Sequence, residues 1–375
     1  MAPGQDQKQR PGRRGYLDWL RGLAVVIMVF WHTVDAWTTA QDKLTGAFWY
    51  CMLIGGFAAP IFLFSAGVST ALSTGGRLRR GQDPWTAAWP MVRRGGWIWV
   101  LAILFRIQSY LLSGGATLYG ILKVDILNVM GPSIALAALF LGLARSASSR
   151  VYACLAATCV FAFLTPLVRV STTIQSWPDP IEWYFRPWAG RTTFTFFPWA
   201  GFVLAGAAVG VLLDRTADRE AERRLIVRIA AGGLALWALA TASAYLPPLA
   251  GDTDFWRSAP SFFFIRVGVV VTLVVLAYWW EQRPAVFASG RLFSPLMQFG
   301  LTSLFIYWVH VEMAYGGLSK PIRGELHLPV SLVAFALFLT AMLGLSILKT
   351  RLAARWRTAR PAEPRPTAGP PVPQS

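Results

Sequence analysis

The sequence is poor in charge and in cysteine, and it lacks any regular alternation of apolar and polar residues. Only 14% of its 375 residues are Asp, Glu, Lys or Arg, against about a quarter in soluble chains, which excludes an ordinary cytosolic enzyme. Its three cysteines, Cys51, Cys154 and Cys159, stand in apolar stretches with no CxxC and no partnering histidine. They form neither a disulfide framework nor a zinc site, and no metal is expected. Without strands of alternating polarity, an outer-membrane barrel is excluded too. What is present is 55% hydrophobic, with 18 Trp and 24 Phe, gathered into long runs. The fold class that follows is all-α, a polytopic integral membrane protein.

A spanning helix needs about 20 mostly apolar residues. Ten stretches qualify: Leu17–Ala36, Phe48–Ser69, Gly95–Leu112, Ile126–Ala144, Val151–Val168, Phe194–Leu213, Ile226–Leu246, Phe262–Trp280, Ser294–Tyr315 and Pro329–Leu348. The first holds Asp18 and Arg21 and has no small-residue cleavage site, so it reads as a span and not as a signal peptide. Residues 1–14 read as a basic cytoplasmic tail, 15–350 as one transmembrane domain, and 351–375 as a Pro- and Arg-rich tail too poor in apolar residues to pack.

The formal charge of +17 would suggest nucleic acid in a soluble protein. Here the positions of the basic residues exclude that partner. With loops numbered alternately, 24 of the 35 Lys and Arg fall on one side, the pattern of cytoplasmic loops. Both termini are therefore expected in the cytoplasm and the protein in the plasma (inner) membrane, in contact with lipid. The sizeable loop between Arg169 and Thr193 carries Trp177, Trp183, Tyr184 and Trp188. It reads either as an interfacial aromatic belt or as a stacking platform for a sugar-like acceptor.

Ionisable residues inside spans mark sites by default. The first span holds Asp18, Arg21, His32 and Asp35. Eleven residues separate Arg21 from His32, about 20° from three full turns and about 16 Å along the axis, while Asp18 and Asp35 each lie three residues beyond one of them. All four share one face. His310, in GLTSLFIYWVH, reaches a depth similar to that of His32 in its own span. Arg106 and Asn128 also fall towards the outer half, and Gly131–Pro132 is expected to kink the helix carrying Asn128. Gly56, Pro60 and Gly67 mark the second span as a packing helix. His327 falls in the last outer loop and reads as solvated.

The segments LDWLRGLAVVIMVFWH, GGFAAPIFLFSAGVS, DILNVMG and GLTSLFIYWVH together resemble the heparan-α-glucosaminide N-acetyltransferase-like family, within a wider transmembrane acyltransferase group that includes acyltransferase family three. The likeness is strongest over 16–70 and returns at 125–132 and 300–311; residues 133–292 share only hydropathy. The spacing of Arg21 and His32 is similar to the Arg-x10-His pattern of acyltransferase family three, with His32 at its catalytic histidine. The periplasmic hydrolase domain of one large branch has no counterpart here. The resemblance implies a cytosolic acyl-CoA, most simply acetyl-CoA, as donor, and a carbohydrate amine or hydroxyl across the membrane as acceptor.

The residues accommodate this chemistry. His32, or His310, can take a proton from the acceptor or take the acyl group itself. Asp35 is placed to accept from His32 Nδ1–H. Arg21, with Asp18 beside it, can grip a CoA phosphate, and Arg106 or Asn128 can donate to the developing oxyanion. The rival reading is a proton-coupled transporter, which buried His and Arg would also serve.

Overall fold

The computed structural model describes residues 14–112, 118–247, 254–282 and 293–358. Among them the chain is nearly all helical, with no strand. In chain order the helices are α1 (Gly15–Trp37), α2 (Gly46–Gly55), α3 (Ala58–Leu78), α4 (Pro84–Leu112), α5 (Ile126–Leu143), α6 (Ala147–Val170), α7 (Thr172–Gln175), α8 (Asp179–Phe185), α9 (Phe196–Asp214), α10 (Arg219–Ser243), α11 (Pro260–Glu281), α12 (Pro295–Leu301), α13 (Ser303–Tyr315) and α14 (Leu328–Thr358). Nine stretches among the described residues are long and apolar enough to cross a membrane, with α2 and α3 counted as one.

The ninth of the ten expected spans, Ser294–Tyr315, is broken in two. Thr302 leaves helical geometry between α12 and α13, and polar groups of α14 satisfy the break. Thr302 Oγ1 lies 2.6 Å from Ser346 Oγ, Ser346 Oγ donates to the Gln298 carbonyl at 3.3 Å, and the Gln298 side chain donates to the Ser346 carbonyl at 2.9 Å. A break within lipid is tolerated where neighbouring helices supply such partners. Helix α14 in turn runs on to Thr358, eight residues into the expected tail. The rest of that tail, 359–375, and residues 1–13 of the N-terminal one lie outside the described residues.

Helix α1 is central, packed by α12, α13, α14, α3 and α11, and is tied at both ends. At its start Arg14 and the Tyr16 hydroxyl both donate to Glu222 of α10, at 2.8 and 2.6 Å, and Tyr16 N donates to Glu281 of α11 at 2.9 Å. At its end Thr39 N donates to the Leu326 carbonyl and Leu326 N to the Trp37 carbonyl, each at 2.9 Å. Close by, Asp42 accepts from Leu328 N at 2.7 Å and meets His327 at 3.3 Å. Those bonds hold the Asp42 carboxyl below the usual aspartate range. His327, expected in solvent, is exposed and touches this one carboxylate.

In lipid, helices gain little from hydrophobicity and associate through small residues that let backbones approach. Between α3 and α9, a Cβ on Gly206 would overlap the Phe64 carbonyl, and one on Gly67 the Val203 carbonyl. Gly206→Ala is therefore expected to destabilise by about 1–3 kcal/mol, the usual range for overpacking. Gly96→Ala, where nothing stands within 4 Å of the new Cβ, is the control. Thermal melts in detergent should fall for the first and not for the second. Gly131 is used in the same way against Gly95, and α5 runs as one helix with Pro132 inside it.

Candidate active site

Arg21, His32 and Asp35 line one cavity of about 650 Å³. From the level of Arg21 to that of Asp35 it extends about 21 Å at 1.5 Å per residue. The face shared by the polar residues of α1 is thus a cavity wall. Asp18 lies buried behind it, its carboxylate paired with Arg21. The other walls come from α2, α3, α4, α5, α9, α11 and α13.

His32 and His310 meet directly. His32 Nδ1 lies 2.8 Å from His310 Nε2, and His310 Nδ1 lies 2.7 Å from the Ile306 carbonyl oxygen. The rings are within 6° of parallel with centroids 5.0 Å apart. With the nitrogens so much closer than the centroids, the rings lie edge to edge, as an in-plane hydrogen bond requires. The carbonyl can only accept, so His310 Nδ1 carries a proton and donates it. In a neutral ring His310 Nε2 is then the acceptor, and His32 Nδ1 must be the donor. His32 Nε2 is left with its lone pair. His310 is fully buried, whereas His32 borders the cavity, so that lone pair belongs to the cavity side. Trp37 Nε1, donating to the Ala314 carbonyl at 3.1 Å, fixes α1 against α13 one turn beyond the pair.

Asp35 is not the partner of His32 Nδ1, because His310 holds that position. Its carboxylate instead accepts from the Tyr315 hydroxyl at 3.1 Å and meets Lys43 Nζ at 3.5 Å. Tyr315 turns its ring edge-on to His32, with 5.5 Å between centroids. Asp35 therefore bears on the histidine through the tyrosine.

Asn128 also differs from expectation. Asp125 caps α5, accepting from Ile126 N at 2.7 Å, and Asn128 completes a capping box by accepting from Asp125 N at 3.1 Å. Its side chain is spent on the helix start, and Asn128 is not among the cavity-lining residues. Arg106 does line the cavity, ion-paired with Asp125, its Nε buried and unpartnered.

Four cavity residues went unassigned in the sequence. Tyr315 and Lys123 gave no signal beyond their place near span ends. Burial and the neighbouring Arg106 lower the Lys123 ammonium below the ordinary lysine value, with Asp125 offsetting part of this. Glu312, two residues past His310, faces the cavity with one buried oxygen lacking a hydrogen-bond partner. Arg266 was visible as an arginine inside a span, which is itself a site signal.

The aromatic loop supplies no platform to this cavity. Trp183 is buried, and Tyr184 accepts from Trp99 at 2.8 Å. Trp177 and Trp188 are exposed, as belt residues are, and of residues 169–194 only Thr193 and Phe194 reach the cavity wall.

A family model described as heparan-alpha-glucosaminide N-acetyltransferase, catalytic, matches residues 13–247. No curated protein matches the chain. The matched segment contains Arg21, His32, Asp35, Arg106 and Asn128 and ends before Arg266 and His310. It also covers 133–247, where the sequence shared only hydropathy with the family. With well over half its residues inside that match and nine stretches able to cross a membrane among those described, this multi-pass membrane protein belongs to the heparan-alpha-glucosaminide N-acetyltransferase catalytic family.

Proposed function

We propose that the protein transfers an acetyl group from cytosolic acetyl-CoA to a hydroxyl or amine of a glycan-like acceptor on the outer side of the plasma (inner) membrane, with His32 as the general base. The observation that carries this reading is the chain of hydrogen bonds from the Ile306 carbonyl through His310 to His32. It leaves a basic nitrogen beside a cavity long enough to bring a donor from one end of the bundle to an acceptor at the other.

In the reaction, His32 Nε2 takes the proton of the acceptor O–H or N–H as the oxygen or nitrogen attacks the thioester carbonyl. The tetrahedral oxyanion that forms lies within a cavity lined by Arg106, whose guanidinium is held by Asp125 and suits such an anion. Collapse breaks the carbon–sulfur bond, and the leaving thiolate recovers the proton from His32. Arg21 and Arg94, both lining the cavity, suit CoA phosphates. The first residues of α13, Ser303 and Leu304, line it as well and add the positive end of a helix dipole. An extended pantetheine arm then carries the thioester from that level to His32.

Proteoliposomes tell this reading from its rival. Radiolabelled acetyl-CoA outside and glucosamine inside should yield labelled N-acetylglucosamine in the lumen. Failure to bind acetyl-CoA, together with uptake of a solute driven by a proton gradient, would return the protein to the transporters.

A further inference from the structure

The proposed transfer steps leave Arg266 without a role. An arginine inside a span is costly and ordinarily neutralised by a partner, as Arg21 is by Asp18 and Arg106 by Asp125. Among the described residues no carboxylate pairs with Arg266. Its guanidinium instead lies over the Phe262 ring, 4.1 Å from the centroid, and 5.7 Å from that of Trp199. Aromatic faces support the cation without consuming its N–H groups. The planar fork is therefore left for an anion, and the residue lines the cavity.

The space beside it is kept open by a glycine pair. A Cβ on Gly56 would stand 3.4 Å from Arg266 Nη2, and Gly55 packs against Trp31, the neighbour of His32. Arg266 therefore shares a level of the bundle with the reacting centre. The side chains against the His32 ring are His310 and Tyr315, whereas Arg266 is held over Phe262 and Trp199, so Arg266 stands apart from the ring. An oxyanion forming at a carbonyl beside His32 falls to Arg106. What Arg266 can reach is a substituent displaced from the nucleophile. Lys123, which also lines the cavity, adds a second positive charge to it.

We infer that Arg266 is a specificity-determining residue of the acceptor subsite, binding an anionic oxygen group, such as a sulfate or phosphate ester, on the sugar that receives the acetyl group. Naming the ligand as an acceptor rests on the acetyltransferase reading; the anion site itself does not.

The test compares glucosamine with glucosamine 6-sulfate and glucosamine 6-phosphate, using the full chain in nanodiscs. Wild-type kcat/KM should favour the charged sugars by on the order of 10²-fold, the scale of a buried charge pair. Arg266→Gln should erase that preference while leaving transfer to neutral glucosamine within about threefold. Arg266→Lys, which keeps the charge without the fork, should retain part of it and guards against a misfolded glutamine variant. A sulfate preference over phosphate, or the reverse, identifies which ester the fork accepts. Calorimetry with the same three sugars reads binding without turnover. Charge-selective binding lost in Arg266→Gln, with no transfer to any sugar, supports the anion site and overturns the acetyltransferase reading. Equal binding of charged and neutral sugars, or no binding, overturns the inference. So does an Arg266→Gln loss that falls equally on all three acceptors, the result expected of an oxyanion donor.

Discussion

His32→Ala and His32→Asn are both expected to reduce kcat for acetyl transfer by about 10²- to 10⁴-fold, the range that a positioned general base contributes. The two substitutions differ in what they do to the fold. His32→Ala removes the donor to His310 Nε2 and leaves a buried acceptor unsatisfied, at about 1–3 kcal/mol. Asparagine places its amide nitrogen where Nδ1 stood, so the bond to His310 can persist while the basic lone pair is gone. His32→Asn should therefore melt close to wild type and still be inactive. Acetyl-CoA affinity should stay within about threefold in both variants, because Arg21 and Arg94, proposed to hold its phosphates, are untouched. Retention of a tenth or more of the activity by His32→Asn would remove the imidazole from the role of base.

The placement of His32 on a cavity wall was largely legible in the sequence. Periodicity alone put Arg21, His32 and Asp35 on one face of α1, and depth alone put His310 level with His32, because both inferences depend only on the rise and pitch of a helix. Which helices are neighbours is a tertiary property that no single span encodes. The direct pairing of the histidines therefore waited for the fold, and with it the displacement of Asp35 onto Tyr315.

Asn128 illustrates a competing local rule. The string DILN places an acceptor-bearing residue at the start of a helix and another three residues on, which is a capping-box spacing. That use took precedence over a place in the cavity. The break at Thr302 had a weaker signal, since hydropathy averages over a one-residue interruption and the polar groups that stabilise it come from α14. Arg266 shows in the sequence only as an arginine inside an apolar run. Only its contacts separate it from Arg106: one guanidinium paired with a carboxylate, the other stacked on rings with its fork unspent.

In the proposed reaction His310 is a positioning residue, and its substitutions should separate geometry from chemistry. His310→Ala removes the acceptor that holds His32 Nδ1–H, so His32 loses both its orientation and its reason to keep Nε2 unprotonated. The expected loss is about 10²-fold in kcat, with KM for acetyl-CoA unchanged, because the donor's phosphates are bound elsewhere. Glutamine carries an amide oxygen at the distance of Nε2 and can accept from His32 as the imidazole does. Asparagine ends one atom short. His310→Gln should therefore recover most of the activity and His310→Asn should resemble His310→Ala, an ordering that a purely space-filling role would not produce. The chain has only three histidines, one of them the exposed His327, so NMR of isotope-labelled ring nitrogens can be assigned with two single variants. Both His32 and His310 should carry their proton on Nδ1 in the neutral protein, and in His310→Ala the His32 signal should move to a mixture of tautomers. A wild-type His32 protonated on Nε2 would mean that its cavity-facing nitrogen is a donor, and the direction of proton transfer assigned to it would be wrong.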